Sequence, residues 1–480
     1  MNLAILLLCA LPCVAQIVTD SPEVRSPVTL TAVNDPKTGR AAFAFQGKQI
    51  PPVIRAAQGE SIRVTYKNAM STVSHEKCAT GPCMNMTNLH FHGLHVSPKA
   101  PQDDVLTMMA MPGESLEYTV EIPRSQPPGL YWYHTHPHGE SYRQTLDGMS
   151  GAIVIEGIDA YAPEVRKMRE RILVLRDRVL EKADRESASL AQAVEISSPG
   201  CGESTEQPER IFTINGVIRP TIPIAAGERQ FWRIVNASPD LYADLQIDGQ
   251  QWEIVALDGM PLSYHDPKLR TRLEGHVLLP PGGRLEAIVT GPPEGAHAKL
   301  RTLCFDTGPD GDPNPAMALA DIADTKAEPK ITRASRPDSE QPVFRVIPKQ
   351  KAAAIEAGAP EFTATFTEDK QGFYINGKRY DPDGAPMIRA RVGGYHLWRI
   401  VNRTHEAHPF HIHQVHFLFL AENRKRLGQP QWLDTVNVPV GGSVDLVMDF
   451  SDPIIRGMSV FHCHLLNHED KGMMAKILFE

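Results

Sequence analysis

With 480 residues, 42% hydrophobic and 22% charged, the chain is long enough for about three domains of roughly 150 residues, each able to bury a core. Its formal net charge of −8 gives no argument for binding nucleic acid or an anionic membrane. The 40 prolines and 35 glycines favour many short strands joined by turns over long helices.

Residues 1–15, MNLAILLLCALPCVA, are the first predicted element. The apolar run is short for a bilayer span and ends in small residues, so it reads as a signal peptide cleaved after Ala15, although no Lys or Arg precedes it. No later stretch is long and apolar enough for a transmembrane helix. The expected location is therefore periplasmic or secreted. Of the seven cysteines, Cys9 and Cys13 leave with this segment and Cys463 has a role described below. Cys78, Cys83, Cys201 and Cys304 remain, an even number in an oxidising compartment. Four cysteines allow three pairings, and the sequence does not choose among them or exclude free thiols.

Two phrases recur along the rest of the chain. Phe212-Thr213-Ile214-Asn215-Gly216 precedes Trp232-Arg233-Ile234-Val235-Asn236, and Phe373-Tyr374-Ile375-Asn376-Gly377 precedes Trp398-Arg399-Ile400-Val401-Asn402. Pro112-Gly113-Glu114-Ser115-Leu116, Pro281-Gly282-Gly283-Arg284-Leu285 and Val440-Gly441-Gly442-Ser443-Val444 each open an alternating apolar strand. Repeats of this size mean duplicated domains, and alternation between Gly and Pro turns means antiparallel β-sandwiches or barrels. Boundaries are expected near 158 and 335, giving domains at 16–158, 159–335 and 336–480. A charged stretch from Leu180 to Arg210 reads as a loop with one short helix, and the polar stretch from Lys326 to Pro342 reads as a linker.

Histidine clusters set the first and third units apart. They are His90-Phe91-His92, His134-Thr135-His136, His408-Pro409-Phe410-His411-Ile412-His413, and His462-Cys463-His464 with His468 and Met473. At the equal offset from Asn236 the second unit has Tyr242, Leu245 and Ile247. Its Leu303-Cys304-Phe305 stands where the third has His462-Cys463-His464, so Cys304 reads as a small core residue or as the relic of a ligand.

A thiolate with two imidazoles and a weak axial thioether makes a blue-copper electron-transfer site. Cys463, His408, His468 and Met473 supply that set. On a strand, alternate residues share a face, so His462 and His464 point away from Cys463. The eight other cluster histidines split evenly, with His90, His92, His134 and His136 in the first unit and His411, His413, His462 and His464 in the third. That split predicts a metal cluster between the two units, and eight imidazoles suit three coppers as two, three and three. Zinc, the rival metal, neither needs nor suits such a cluster. Dioxygen takes four electrons on the way to water, and three coppers fed by a fourth hold that number.

These clusters resemble the four copper motifs of the multicopper oxidases, the family of laccases, ascorbate oxidase and bacterial cuprous oxidases. The resemblance covers nearly the whole mature chain, and its most specific part is the run from His462 to Met473. It implies an all-β fold of three cupredoxin-like Greek-key domains and four coppers per chain, one type 1, one type 2 and two type 3. It assigns His90 and His411 to type 2, His92, His134 and His464 to one type 3 copper, and His136, His413 and His462 to the other. Type 1 takes His408, Cys463, His468 and axial Met473. Asp103 or Asp104, after the first histidine pair, stands where the family places an acid for proton delivery. Glu469 resembles a proton-relaying glutamate of cuprous oxidases.

The expected activity is laccase-like, with phenols or aromatic amines oxidised one electron at a time and dioxygen reduced to water. Glu406, in a short polar loop before His408, is a candidate acceptor for the substrate proton. A cuprous oxidase for copper tolerance is the alternative enzyme, and a copper carrier or electron-transfer protein is the alternative of another class. A carrier has no use for eight cluster histidines, and a copper nitrite reductase would have two domains. The expected partners are dioxygen and a small reductant (phenol, aromatic amine or Cu(I)), with no nucleic acid, and the chain is expected to act as a monomer.

Overall fold

A computed structural model of the chain describes residues 16–72, 85–180, 209–264, 266–324 and 359–480. The signal segment, Cys78, Cys83, Cys201, residues 181–208 of the charged stretch, and the polar linker lie outside these residues. Among the described residues no helix is long and apolar enough to cross a membrane.

Among the described residues the strands form six sheets in three successive pairs. One motif underlies all three. Val28–Asn34 runs parallel to Ser61–Asn68, which pairs antiparallel with Ser115–Glu121. Arg169–Val179, Arg229–Asn236 and Arg284–Thr290 repeat this arrangement, as do Phe362–Asp369, Gly394–Asn402 and Ser443–Phe450. The Trp-Arg-Ile-Val-Asn phrases are therefore the middle strands of this motif, the Gly-turn phrases open its last strands, and the Asn-Gly phrases end the strands Arg210–Ile214 and Gly372–Ile375, which pair with its first strands.

Local chemistry explains why these phrases recur. At Asn215-Gly216 and Asn376-Gly377 both residues have positive φ, between 51° and 83°. A two-residue hairpin turn that matches strand twist requires this, and Asn-Gly supplies it at least cost. The asparagine ending each middle strand acts as a staple. Asn236 Nδ2 donates to the carbonyls of Leu241 and Leu279, and Asn402 Nδ2 to those of Glu406 and Val438. Asn68, its counterpart in the first unit, donates to Asn85 and Ala110. Each buried amide thus satisfies backbone carbonyls at the point where the chain leaves the sheet.

Alternation decides which faces are buried. In Ser61–Asn68 every second residue is buried, as in a sheet with one wet face. In Ser150–Ile155 every residue is buried. The outer side of that sheet, with Val53, Leu130, Trp132, Ala152 and Val154, packs on Ile172, Val174, Val235 and Ala237 of the second unit. Each large aliphatic side chain sealed there contributes about 1.5–3 kcal/mol. The second unit is in this way clamped against the strand Gly129–His134, which ends in the cluster histidine His134.

The first and third units meet through two short helices, Ser141–Leu146 and Leu466–Asp470. Asp470 accepts from the backbone N–H of Gly139 at 2.8 Å and of Tyr142 at 2.9 Å, satisfying donors at the start of the first helix.

Candidate metal centre

The strand His90–His92 pairs with Gly129–His134 in a register that sets His90 opposite His134. In the third unit His411 lies opposite His462, and Phe410 opposite Cys463. Where the two edges meet, the His90 and His413 rings stack at 3.7 Å and the His92 and His411 rings at 3.9 Å. All eight predicted cluster histidines converge here, and none is more than 2% exposed.

Their hydrogen bonds fix which ring nitrogens are free. Nδ1 of His134, His411 and His462 lies 2.8–3.0 Å from the carbonyls of Thr135, Asp434 and Cys463. Nδ1 of His90 lies 3.0 Å from Asp103. Carbonyls only accept, so the Nδ1 atoms of His134, His411 and His462 carry the hydrogen and their Nε2 keeps a lone pair. His92 is reversed, because its Nε2 faces Asp434 Oδ1 at 3.1 Å. Nε2 of His90, His134 and His411 and Nδ1 of His92 and His413 have no hydrogen-bond partner, and neither His464 nitrogen has one. Nε2 of His462 faces Nε2 of His413 at 3.2 Å and of His136 at 3.4 Å.

Buried polar atoms without partners are costly, and lone pairs facing each other in a dry interior call for a cation. Burial, helped by the neighbouring imidazoles, pushes the cluster histidines well below the usual imidazole range, with His134 and His462 down to about 3. Neutral imidazole is the ligand form. The residues present therefore fit bound metal ions.

A separate group lies across the strand. Cys463 Sγ is 3.4 Å from His408 Nδ1, which is 3.3 Å from His468 Nδ1. The far nitrogens are occupied, His408 Nε2 by Thr404 Oγ1 at 2.7 Å and His468 Nε2 by Glu406 Oε1 at 3.2 Å. Both Nδ1 atoms thus turn toward the thiol. Leu465 N–H donates to Cys463 Sγ at 3.4 Å, and Met473 is fully buried in the same core.

The predicted acids fall in distinct places. Asp103 is buried behind His90, where it accepts from the Phe91 N–H at 2.9 Å and from Gln414 Nε2 at 2.7 Å. Burial raises its carboxyl to about 8. Asp104 caps the following turn by accepting from the N–H groups of Leu106 and Thr107. Glu469 is fully buried, 3.2 Å from His462 Nδ1 and 3.6 Å from His136 Nδ1, and it accepts from Ser141 Oγ. It therefore faces the eight-histidine cluster. Glu406 is only 6% exposed, which burial predicts poorly from its polar sequence neighbours. Burial and the adjacent Glu368 push its carboxyl up to about 9.

Three residues packed against the cluster escape the sequence reading. Asp434 is fully buried, with its carboxylate on His92 and its carbonyl on His411. Arg284 reaches in from the second unit, donating to Asp434 at 2.7 Å with Asp258 at 3.6 Å. The signals were present: Asp434 is the lone acid in the apolar run from Trp432 to Val438, and Arg284 stands where the other repeats have Ser115 and Ser443. Gly282 has φ +88°, and a Cβ on it would lie 3.0 Å from His464 Nε2, so the second unit also walls the cluster. Cys304 corrects the core-residue reading. It is half-buried and disulfide-bonded, and its pairing falls outside the described residues.

Family models described as multicopper oxidase match residues 28–159 and 353–480, together more than half of the chain. A multicopper oxidase of Staphylococcus haemolyticus is 21% identical over 448 residues, covering 91% of this chain and 83% of that protein. A laccase of Haloferax volcanii is 23% identical over 482 residues, covering 91% and 78%. The solved structure of a Campylobacter jejuni multicopper oxidase, titled a metallo-oxidase, superposes with a TM-score of 0.69 at 23% identity, covering 97% of this chain and 95% of that one. The likeness in fold is that of cupredoxin-like β-sandwiches. The two matched segments carry every histidine cluster described above, and the chain belongs to the multicopper oxidase family, oxidoreductases that use dioxygen.

Proposed function

We propose that the protein is a laccase-type oxidase that takes single electrons from phenols or aromatic amines and reduces dioxygen to water. In this reading the chain holds four coppers. His408, Cys463, His468 and Met473 hold type 1, His90 and His411 hold type 2, and His92, His134, His464 with His136, His413, His462 hold the type 3 pair. Copper, when bound, supplies reversible one-electron chemistry and the site at which dioxygen is reduced. We also propose export to the periplasm or exterior, and domain boundaries near 158 and 335.

The observation that carries the reading is the cleft above His468, with a volume of ≈ 740 Å³. His468 is 8% exposed, whereas His408 and Cys463 are fully buried, so His468 is the ligand through which an electron enters. Phe373 stacks on the His468 ring at 3.9 Å and 15°, and Tyr242, Phe373 and Leu465 line the cleft beside it. Such walls accept an aromatic ring. Each phenol gives up one electron and one proton, and four turnovers supply the four electrons and four protons that turn one dioxygen into two waters. Glu406, raised to about 9, already holds a proton and keeps the His468 ring in place, so Glu368 beside it in the cleft is the group placed to take the substrate proton. Asp103 and Glu469, against His90 and His462, are the acids best placed to pass protons toward oxygen.

A second reading, metal-ion oxidation, is favoured by the acids Asp240, Asp310, Asp312 and Asp369, which line the same cleft. They are hard oxygen donors, and no Met or Cys is among the lining residues, which speaks against soft Cu(I). The deciding experiment is kcat/KM for a methoxyphenol and for chelated Cu(I), on fully copper-loaded enzyme without free copper. A large preference for the phenol supports the proposal. A large preference for Cu(I), or phenol oxidation that appears only with added copper, overturns it.

A further inference from the structure

Two buried histidines outside the ligand set meet at the junction of all three units. His95 comes from the first unit and His416 from the third, with His95 Nε2 2.9 Å from His416 Nδ1. His416 Nε2 lies 2.9 Å from the carbonyl of Asp258 in the second unit. A carbonyl can only accept, so this Nε2 carries the hydrogen. The neutral ring then has its lone pair on Nδ1, and His95 Nε2 is the donor. The two tautomers are thereby fixed in series.

The same His416 Nε2 is 3.4 Å from Asp434 Oδ2. Asp434 controls two metal-facing rings at once. Its carboxylate takes Nε2–H of His92, leaving Nδ1 free, and its carbonyl takes Nδ1–H of His411, leaving Nε2 free. Arg284 holds Asp434 from one side and also donates to the Asp258 carbonyl at 3.0 Å. From the other side the His416 Nε2–H goes to the same carbonyl, with the Asp434 carboxylate 3.4 Å from that nitrogen. The packing is tight, since a Cβ on Gly93, between His92 and His95, would lie 2.5 Å from Arg284 Nη2 and 2.6 Å from Asp434 Oδ2.

We propose that His416, held by His95, is a positioning residue that fixes which nitrogens of His92 and His411 face the metal centre, acting through Asp434. The proposal rests on the reading of His92 and His411 as copper ligands. Partners of metal-binding histidines orient the ring, and their loss costs about 10–100-fold in metal affinity. For a residue one step further out, we expect a loss near the lower end.

The test uses full-length copper-loaded protein and the variants His416→Phe, His416→Gln and His95→Leu. Copper content under chelator competition, the blue absorption band and the electron paramagnetic resonance of the non-blue copper are read for each. His416→Phe is expected to keep the blue band, lose about tenfold in affinity for the non-blue coppers and change their resonance signature. His416→Gln, whose amide can still donate to the Asp258 carbonyl, is expected to restore the signature. His95→Leu removes only the donor to His416 Nδ1 and should shift the signature the same way, which also covers a His416→Phe protein that does not fold. An unchanged signature in the folded variants, or no restoration by Gln, overturns the proposal. Wild-type protein without non-blue copper would instead overturn the ligand reading.

Discussion

Arg284→Met isolates the electrostatic keystone of the metal centre. Arg284 is fully buried and is the cation shared by two carboxylates, Asp434 at 2.7 Å and Asp258 at 3.6 Å. Burial raises the Asp258 carboxyl to about 7 even with the guanidinium present. Methionine fills much of the volume but leaves two buried carboxylates with no cation between them. Breaking a buried pair in this way costs about 3–5 kcal/mol. At about 2–4 °C per kcal/mol for a unit of 150–250 residues, the unfolding temperature should fall by roughly 10 °C. Asp434→Asn should cost less, because Arg284 keeps Asp258 as its partner. The assay is scanning calorimetry at one fixed scan rate, since a chain of this size is apt to unfold irreversibly. Running it on chelator-stripped protein separates fold from metal. A fall of under about 2 °C for Arg284→Met, or a larger fall for Asp434→Asn, would refute the reasoning.

Other substitutions probe the chemistry. Cys463→Ser removes the thiolate, so the blue band and substrate oxidation should both vanish while copper at the eight-histidine cluster remains. Met473→Leu withdraws a weak thioether donor that favours oxidised copper, and a redox titration should show a higher type 1 potential. Asp103→Asn should slow reoxidation by dioxygen but leave anaerobic reduction of the blue copper by substrate near normal in stopped flow. Asp177 is buried beside Arg210, and burial raises its carboxyl to about 7. A folded-state value above the unfolded one costs stability as pH rises from about 4 to 7, at about 1.4 kcal/mol per unit. Asp177→Asn should accordingly stabilise the protein at pH 8 and change little at pH 4, as read by thermal unfolding.

The repeats were legible because they encode backbone needs. Asn-Gly marks hairpin turns, and the terminal Asn of each middle strand staples departing carbonyls. The histidine clusters were legible because ligand spacing on strands is fixed by a period of two. Burial of single acids was less visible. Glu406 has polar neighbours in sequence, yet Glu368 and His468 enclose it from other elements. Arg284 and Asp434 are 150 residues apart, and nothing local announces that they meet. His95 and His416 lie three residues beyond His92 and His413, and their pairing depends on how three units dock. Cys304 stood both among four cysteines open to pairing and between the apolar neighbours Leu303 and Phe305, and only a partner elsewhere in the chain decides for the disulfide.

The proposed oxygen-reducing centre, fed from a blue copper site, can be checked by counting electrons per dioxygen during steady oxidation of a methoxyphenol by copper-loaded enzyme, with an oxygen electrode and a peroxide assay in the same vessel. Four electrons per dioxygen, no accumulating hydrogen peroxide, and loss of turnover together with the blue band in Cys463→Ser are expected. Two electrons per dioxygen with stoichiometric peroxide, or undiminished turnover in Cys463→Ser, would contradict the proposal.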